Sequence, residues 1–525
     1  MRMPSRSEIV IRYLLEERAR TRPGERMASF EDGETWSNSN ALEQSCGAAN
    51  ALASRGVARH GRVGVFLPNG QNFLRAWWGA SMLGAAVVPY NLAFKKNMLN
   101  YAVRISEPDL IVTTEEGYRH FADAGVTASC IIAGELEGGS TELPQVDEPI
   151  EIWDTHALML TSGTTGNSKL SITTYFNSHL GGCQTMQAYD ADSSDVFLTD
   201  LPLFHIAAMY HVQASMATGA SIAVRSRPTL TNYWAVARAT GATMSIVLSS
   251  MVSQLLSQPE RDWDRDHDMR LMFCAPLPSD VEAFKERFAI ADIQTGYGST
   301  EVPGCVNKSP GDSIVPGSCG TARNGFEVRL VDDNDIEVPD GTVGQAIVRT
   351  EHPWMLSVGY KGDAEATAAA WRNGWFHTGD LLRRDKSGNY YYVDRLKDAI
   401  RRRGENVSSH EVEQEVRTYP GVVDVACVGV SSDEQFDEEI KIWLVVDDRF
   451  ESDCLPLVRY LADRMPFFMV PRYIEFVDSL PTTASARAKK FELRRRGNSP
   501  STWDLESAGW RMSRNGLVRI DDRRD

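Results

Sequence analysis

The chain has 525 residues, of which 42% are hydrophobic and 24% are charged, so it is too long for one core and indicates three or so structural units of ~100–200 residues each. Its formal net charge of -16 disfavours nucleic acid or an anionic membrane as the main partner. Eight cysteines are scattered without a CxxC motif or a histidine at metal-ligand spacing, which predicts reduced thiols in a cytoplasmic protein.

The first 27 residues mix Arg and Glu through the apolar positions between Ile9 and Leu15. This pattern is typical of an amphipathic helix, and the stretch lacks the apolar core of a signal peptide. No run in the sequence reaches the ~18 apolar residues that a transmembrane helix needs. We therefore expect no membrane span.

Helical segments alternate with short apolar runs between residues 40 and 135. Helical spacing covers 41–55 and 71–83, and strand-like runs occupy 62–68, 84–90, 109–113 and 129–133. Continuous apolar strands separated by helices predict parallel sheets that are covered on both faces. Trp77 and Trp78 lie at helical spacing, and we expect them to pack in the core.

A polar loop follows the apolar run Ala157–Leu160 and ends at Lys169. Its residues are Thr161, Ser162, Gly163, Thr164, Thr165, Gly166, Asn167 and Ser168. Two glycines free the backbone to turn, while the hydroxyls and the lysine supply donors suited to a polyphosphate. The loop is not a Walker A motif, because no Gly-Lys-Ser/Thr follows at the required spacing. A polar surface turn is the alternative interpretation.

Two further motifs lie downstream. His205 stands among apolar residues, which is more typical of a core histidine than of a functional one. The segment 295–301 reads Thr-Gly-Tyr-Gly-Ser-Thr-Glu, in which an aromatic ring that could stack on a base precedes a hydroxyl and a carboxylate. This order suits a nucleotide with a divalent metal on its phosphates. The alternative is a glycine-rich turn with a solvent-exposed Glu301.

The sequence texture changes after about residue 315 to shorter strands separated by turn signals, such as Val338-Pro339-Asp340-Gly341. This pattern predicts an antiparallel or barrel-like unit. Residues 422–475 are interpreted as strand–helix–strand, a small α+β unit. Residues 501–525 are polar and charged with isolated tryptophans, and they predict a loosely held tail.

Taken together, these stretches resemble the adenylate-forming superfamily, which contains acyl-CoA synthetases, peptide-synthetase adenylation domains and firefly-type luciferases. The resemblance runs from about residue 30 to 497, with the motifs in the family's order. It implies an α/β fold with a large N-terminal domain of stacked parallel-rich sheets and a small barrel (1–394). A small mobile α+β C-terminal domain (395–500) and the polar tail (501–525) would follow.

The resemblance also implies the chemistry, with ATP, Mg2+ and CoA as cofactors and co-substrates. Such enzymes activate a carboxylate with ATP to an acyl-adenylate, and the C-terminal domain then rotates for thioester formation. By match, 161–166 and Lys169 would hold the β- and γ-phosphates, and Thr161 and Glu301 would lie near Mg2+. Tyr297 and the strand end Cys274-Ala275-Pro276 match the positions that enclose adenine, Thr300 matches the contact to the adenylate, and Asp380 and Arg395 match the ribose positions. Thr295, Gly296 and Gly298, which flank Tyr297, would also belong to the cofactor-binding residues.

Other matched positions belong to the reacting groups and to the second step. His205 would lie beside the acyl carboxylate as a gate, and Lys397 matches the hinge. Arg401, Arg403 and Gly404 match the face that meets the adenylate and the pantetheine arm, where a glycine lets a thin ligand pass close to the backbone.

The sequence departs from the family pattern in two segments, the phosphate loop and the motif that carries the adenylation lysine. Ser168 and Leu170 replace the usual proline and glycine around the loop lysine. Ala486-Arg487 replaces the usual Gly-Lys, whose lysine is the family's adenylation catalyst. Arginine keeps the charge but not the compact ammonium, so either Arg487 serves this step or Lys489 or Lys490 reaches the site.

Two functions from different classes therefore stand open. The first is an ATP-dependent carboxylate–CoA ligase, which the hinge motif and the segment 403–406 favour, although a luciferase-type oxygenase would share these motifs. The second is a nucleotide-binding pseudoenzyme that has lost adenylation through Arg487. A homodimer is possible in either case.

The sequence indicates the type of acid but not its identity. The resemblance places the acyl pocket along 205–211, 249–252 and 296–303, where the side chains of Ala207, Ala208, Met209, Met251 and Val302 are apolar. This favours a fatty, branched or ring-bearing apolar acid. A carnitine-like quaternary amine is the alternative, because the texture around 89–92 and the end motif resembles that branch.

Overall fold

A computed structural model describes residues 2–161, 168–227, 230–275, 277–278, 280–395, 399–403, 405–431, 437–450, 453–481, 488 and 490–520. The chain divides into two compact units. The first comprises Met1–Leu92, Ala102–Thr161 and Leu170–Asp394, and the second comprises Ala93–Tyr101, Ser162–Lys169 and Arg395–Asp525.

The strands are, in chain order, β1 (Arg26–Phe30), β2 (Thr35–Ser37), β3 (Arg62–Phe66), β4 (Ala86–Pro89), β5 (Leu110–Thr113), β6 (Cys130–Ile132), β7 (Thr155–Thr161), β8 (Lys169–Thr174), β9 (Val196–Thr199), β10 (Ser221–Val224), β11 (Met244–Val247), β12 (Leu271–Cys274), β13 (Asp292–Gln294), β14 (Gly296–Tyr297), β15 (Val306–Asn307), β16 (Thr321–Ala322), β17 (Phe326–Val331), β18 (Val343–Thr350), β19 (Phe376–Arg384), β20 (Tyr390–Arg395), β21 (Ala399–Arg402), β22 (Glu405–Ser408), β23 (Val422–Ser431), β24 (Glu438–Val446), β25 (Tyr473–Phe476), β26 (Trp503–Asp504), β27 (Trp510–Ser513) and β28 (Gly516–Arg519).

The α-helices are α1 (Arg6–Ile9), α2 (Ile11–Thr21), α3 (Asn38–Ala53), α4 (Gln71–Leu83), α5 (Lys96–Ser106), α6 (Glu115–Asp123), α7 (Tyr175–Met186), α8 (Ile206–Thr218), α9 (Tyr233–Thr240), α10 (Ser249–Leu256), α11 (Val281–Arg287), α12 (Ala364–Ala370), α13 (Ser409–Arg417), α14 (Leu455–Ala462) and α15 (Lys490–Arg496).

Two parallel-rich sheets form the framework of the first unit. One has the strand order β13-β12-β11-β9-β10-β1-β2, and the other has the order β6-β5-β3-β4-β7-β8. Strands such as β4 and β9 are buried at every position, because a parallel strand covered by helices on both faces has no solvent side. The predicted parallel α/β sheets are confirmed, and Trp77 and Trp78 are both fully buried in the core.

Antiparallel sheets complete the first unit. The strands β17, β18, β19 and β20 form a four-stranded sheet in that order, and β14, β15 and β16 form a small three-stranded sheet. The predicted change to antiparallel strands after residue 315 is therefore confirmed. These sheets carry the two residues at the centre of the candidate site, Tyr297 on β14 and Asp380 on β19.

The second unit has its own core around the sheet β23-β24-β25-β26. The interpretation of 422–475 as strand–helix–strand missed a strand, because β23 pairs antiparallel with β24 before α14 begins. The charged start of β24, Glu438 and Glu439, hides its apolar continuation from a pattern based on apolar runs.

The prediction of a loosely held tail after residue 500 was wrong for the described part of that segment. Strand β26 pairs antiparallel with β25, and β27 and β28 form a hairpin. Leu505 and Met512 are 2% and 4% exposed and pack in the core of the second unit. The polar composition of the segment concealed these few apolar anchors.

All eight cysteines are free thiols, and seven of them are buried. Across the described ranges, no helix combines the length and apolar character required to cross a bilayer.

Candidate active site

The segment 295–301 forms a tight strand and turn, and two of its glycines are required by close backbone packing. A Cβ on Gly296 would lie 2.7 Å from the carbonyl oxygen of Val306, and one on Gly298 would lie 2.5 Å from the amide nitrogen of Gly304. Any larger side chain would displace the backbone. The glycines therefore fix the path of the segment, and Thr295 at its start is buried.

Tyr297 and Asp380 meet through a hydrogen bond between two sheets. The Tyr297 hydroxyl donates to Oδ2 of Asp380 at 2.7 Å, and both side chains are buried. Burial raises the pKa of Tyr297 well above its usual value, with the Asp380 charge acting in the same direction. The phenol is therefore neutral and serves as a donor. The Thr378 hydroxyl accepts a hydrogen bond from the amide of Asp380 and fixes the start of this turn.

Glu301 is held on both carboxylate oxygens. The Ser299 hydroxyl donates to Oε2 at 2.9 Å, and the Tyr360 hydroxyl donates to Oε1 at 2.8 Å. Its side chain is buried, so the alternative of a solvent-exposed glutamate in a surface turn was wrong. Each carboxylate oxygen keeps a further lone pair after one hydrogen bond, so the residue retains the capacity to bind a hard cation.

Helix α8 begins directly after His205, which occupies its N-cap position. The imidazole is half-buried, and its ring lies 4.6 Å from that of Phe204. By contrast, His211, six residues later on the same helix, is buried, and burial lowers its pKa to about 4. His211 is therefore the core histidine of this helix, and His205 is the more solvent-accessible of the two.

The neighbouring apolar positions are packed. Ala208, Met209, Met251 and Val302 are buried, and Ala207 is exposed. The Tyr210 hydroxyl donates to Oδ1 of Asn177 at 3.1 Å and contacts the carbonyl of Thr300 at 3.3 Å. Its pKa is raised well above the usual value, first by burial and then by the charge of Glu301.

The two ends of the predicted phosphate loop lie on adjacent strands. Thr161 ends β7 and Lys169 begins β8, and both side chains are half-buried. Residues 162–167 lie outside the described residues, so the predicted roles of Ser162, Gly163, Thr164, Thr165 and Gly166 remain predictions. Ala275 follows β12 and is half-buried.

The second unit carries the residues predicted for thioester formation. Arg401 lies on β21, and its amide donates to Oε2 of Glu438 at 3.0 Å. The amide of Arg403 donates to Oδ1 of Asp437 at 2.7 Å. These bonds fix the backbone of the predicted CoA-facing segment.

Several predicted residues lie outside the described residues, namely Pro276, Lys397, Gly404 and Arg487. For Arg395 the structure describes only the backbone, at the end of β20. Lys490 is described, and its ammonium contacts the Ser409 hydroxyl and Oε1 of Glu413, each at 2.7 Å. In this structure Lys490 is thus held within the second unit.

Sequence reasoning missed the residues that orient the site. Tyr360 and Ser299 hold Glu301, and the Asn177 amide contacts the carbonyl oxygens of Glu301 at 3.4 Å and Met355 at 3.1 Å. Ser299 lies within the motif 295–301, two residues before Glu301, and could have been identified from the sequence as a partner of that carboxylate. Tyr360 and Asn177 lie 59 and 124 positions from Glu301, and no local pattern connects them to it.

The chain is similar in sequence to known enzyme families. A profile described as AMP-binding enzyme matches residues 15–360, and one described as AMP-binding enzyme C-terminal domain matches residues 411–487. The crotonobetaine/carnitine–CoA ligase of Salmonella arizonae is 30% identical over 473 residues, covering 85% of this chain and 90% of the relative. The Shigella flexneri protein of the same name is 28% identical over 477 residues, with the same coverage.

Solved structures share the fold. A double mutant of o-succinylbenzoate CoA synthetase from Bacillus subtilis, bound to a product analogue, matches with a TM-score of 0.83 and 23% identity over 92% of this chain and 98% of that one. ATP-bound MatB from Rhodopseudomonas palustris matches with a TM-score of 0.67 and 24% identity over 93% and 98% of the two chains. The matched residues include the strand that bears Tyr297 and the anchored Glu301, and the chain belongs to the AMP-binding enzyme family.

Proposed function

We propose that the chain is an ATP-dependent carboxylate–CoA ligase, which forms an acyl-adenylate and pyrophosphate and then an acyl-CoA thioester and AMP. The observation that carries the proposal is the buried pair of Tyr297 and Asp380, joined at 2.7 Å, in a chain of the AMP-binding enzyme family. A buried carboxylate can accept hydrogen bonds from both hydroxyls of a ribose. The adjacent aromatic ring offers a face for adenine.

We assign the phosphates of ATP to Thr161, the loop residues 162–166 and Lys169. The donor set of Glu301 and the Thr161 hydroxyl fits Mg2+, because that ion takes hard oxygen ligands, often one or two carboxylates together with substrate phosphates. When bound, Mg2+ neutralises charge on the phosphates. Ser299 and Tyr360 hold the Glu301 carboxylate in place for this purpose.

In the first step, a carboxylate oxygen of the acid attacks the α-phosphorus, and the bond from that phosphorus to the bridging oxygen breaks to release pyrophosphate. Negative charge increases between the nucleophile and the leaving group, and a fixed cation there stabilises the transition state. We assign this cation to Arg487, with His205 beside the acyl carboxylate.

In the second step, the CoA sulfur attacks the acyl carbon, AMP leaves and the thiol proton passes to solvent. Arg401, Arg403 and Gly404 are assigned to the adenylate and the pantetheine arm, and Lys397 to the hinge. Rotation about a few backbone dihedrals at that hinge would exchange the two active faces. A cytoplasmic location fits these substrates.

The residues Met209, Met251 and Val302 are buried and uncharged, which supports an apolar acid. The relatives' names support a carnitine-like acid as the second candidate. A panel of fatty, branched, aromatic and carnitine-like acids separates these classes.

The experiment measures ATP–pyrophosphate exchange with that panel and then thioester formation with CoA. We expect exchange with at least one acid and its conversion to a CoA thioester. A folded protein that binds AMP but gives no exchange with any acid would reject the ligase assignment.

A further inference from the structure

A cavity of about 290 Å³ lies in the first unit, lined by residues of the helices α9, α10 and α11 and of the segment 258–264. Its volume is close to the lower end of the ~300–1,000 Å³ range of small-molecule sites in proteins. None of the residues that line it is among those assigned above to ATP, the acid or CoA. The cavity is therefore a candidate for a second ligand site, which the proposed function does not use.

The buried wall of the cavity is apolar and largely aromatic. Tyr233, Trp234, Leu255 and Phe288 line it, and each is at most 7% exposed. The Trp234 ring lies 4.5 Å from the Phe288 ring and 4.4 Å from the His267 ring, with interplanar angles of 27° and 17°. Because these rings are already packed on one another, the wall is formed before a ligand binds, and binding costs little ordering of the protein. Such a wall suits the flat apolar body of a small molecule.

The exposed part of the lining carries guanidinium groups and one further aromatic ring. Arg238 and Arg261 line the cavity and are exposed. The guanidinium of Arg261 lies 5.7 Å from the centre of the Trp263 ring, and Trp263 is 49% exposed. This tryptophan presents apolar surface to water that a bound ring could cover.

The charges of the lining are not balanced. Arg287 pairs with Asp264 at 2.8 Å, and this pair neutralises the carboxylate in the lining. Arg238 pairs with Asp266 in an exposed contact, which contributes little in water. Within the described ranges, the Arg261 guanidinium has no ion pair. Although the whole chain carries a net charge of -16, the mouth of this cavity therefore attracts an anion.

We propose that the cavity binds a small aromatic carboxylate, with its ring against the buried wall and its carboxylate at Arg261. The ring gains from the removal of apolar area from water, and the carboxylate gains a charge-assisted contact. Inorganic phosphate would leave the aromatic wall unused, and an uncharged ring would leave Arg261 without a partner. The inference goes beyond the proposed function and does not depend on it, because the cavity shares no residue with the assigned sites.

The first test titrates the full chain with 2-naphthoate and with 2-naphthamide, two probes that share a ring system and differ in charge. We expect 2-naphthoate to bind about fivefold more tightly, the factor that goes with one solvent-exposed ion pair. Arg261→Gln should remove this difference by weakening 2-naphthoate alone. Arg119→Gln is the matched control, the same change at an exposed arginine on α6, and it should leave both affinities unchanged.

The second test fills the cavity. Ala235 is exposed on α9 and lines the cavity, so a larger side chain there occupies the cavity without entering the core. Ala239→Trp is the matched control, because Ala239 is an exposed residue of the same helix that does not line the cavity. We expect Ala235→Trp to abolish binding of both probes to the cavity, whereas Ala239→Trp should bind them like the wild type.

Three results would overturn the inference: no saturable binding to the wild type, equal affinities for 2-naphthoate and 2-naphthamide, or binding that survives Ala235→Trp in full. A probe bound at the assigned acyl positions is distinguished by the same variant, because that component survives Ala235→Trp and the cavity component does not. If no acid supports exchange but Ala235→Trp abolishes binding of 2-naphthoate, the proposed function fails and this inference stands.

Discussion

At the scale of single residues, the Tyr297 hydroxyl donates a hydrogen bond to the carboxylate of Asp380, and this bond orients the group assigned to ribose. Tyr297→Phe keeps the ring and removes the bond, so we expect AMP to bind about tenfold more weakly because the carboxylate is no longer oriented. Calorimetric titration with AMP measures this.

Tyr390→Phe is the matched control for that variant. Its hydroxyl is also buried and donates to the carbonyl oxygen of Val328 at 2.9 Å, a bond that includes neither Tyr297 nor Asp380. Both variants should lose about 1 kcal/mol of stability, but only Tyr297→Phe should affect AMP. Equal AMP affinities in the two variants would remove Tyr297 from the nucleotide site.

Arg487 is the residue to which we assign the cation of the first step. We expect Arg487→Ala to reduce ATP–pyrophosphate exchange about 100-fold while thioester formation from supplied acyl-adenylate continues, as for loss of one charged donor in a transition state. Lys490→Ala is a control, because Lys490 is engaged by Glu413 and Ser409. If Lys490→Ala or Lys489→Ala abolishes exchange and Arg487→Ala does not, the assignment of Arg487 is wrong.

Asp200 links stability to pH. Burial raises the pKa of Asp200 to about 7, although the Arg225 charge opposes the shift. The unfolded chain loses this proton near pH 4, whereas the folded chain holds it to about pH 7, so the free energy of unfolding falls as pH rises between these values. The slope is at most about 1.4 kcal/mol per pH unit.

Asp200→Asn cannot titrate, so denaturant midpoints measured from about pH 5 to 8 should fall less steeply than in the wild type. Asp195→Asn is the control of opposite sign. Burial raises the pKa of Asp195, but hydrogen bonds from Arg270 and Thr243 lower it overall, so its stabilisation is present above the unfolded pKa. Identical pH slopes for Asp200→Asn and the wild type would contradict the assigned pKa.

At the scale of elements, His156 joins two helices to one strand. The Trp77 indole on α4 donates to Nε2 of His156 on β7 at 2.8 Å, and Nδ1 lies 2.8 Å from the Ser178 hydroxyl on α7. Because Nε2 accepts, the proton of the neutral ring is on Nδ1. Burial lowers the pKa of His156 to about 3, which keeps the ring neutral and this arrangement intact.

Trp77→Phe leaves the Nε2 acceptor buried without its donor. We expect a loss of about 1–3 kcal/mol in the free energy of unfolding from that group, in addition to the loss of volume. Trp78→Phe is the matched control, because Trp78 is equally buried and its indole nitrogen has no partner among the described residues. Denaturant unfolding that gave equal losses would show that the hydrogen bond contributes nothing.

The same scale shows what a sequence can predict. The alternation of helices with fully apolar strands was enough to predict the parallel sheets. A strand that is buried on both faces, such as β4, needs an apolar residue at every position, and the sequence shows this directly. The motif around Tyr297 could also be identified from the sequence, because its glycines are required by local backbone packing. The hydrogen bond between Tyr297 and Asp380 could not be predicted from the sequence, since the two residues are 83 positions apart. Likewise, Tyr360 belongs to no sequence motif, and only its hydrogen bond to Glu301 connects it to the site.

At the scale of the whole molecule, residues after 500 decide how the second unit is completed. Their composition predicts a loose tail, but β26 adds a strand to the sheet of the second unit. In addition, the Thr502 hydroxyl lies 3.0 Å from the fully buried ammonium of Lys441, which pairs with Glu475. The segment therefore supplies a sheet edge, apolar anchors and a polar partner to one core.

A chain that ends at residue 500 should keep the first unit and lose much of the stability of the second. Removing Leu505 and Met512 takes two buried side chains from one core, and each such side chain contributes about 1.5–3 kcal/mol. Limited proteolysis should then cleave within 400–500 at temperatures where the full chain resists, while AMP still binds the first unit. A chain that ends at residue 520 retains the hairpin and should resist like the full chain. If the two truncated chains resisted equally, the segment would be the loose tail that its composition predicts, and β26–β28 would contribute nothing to the fold.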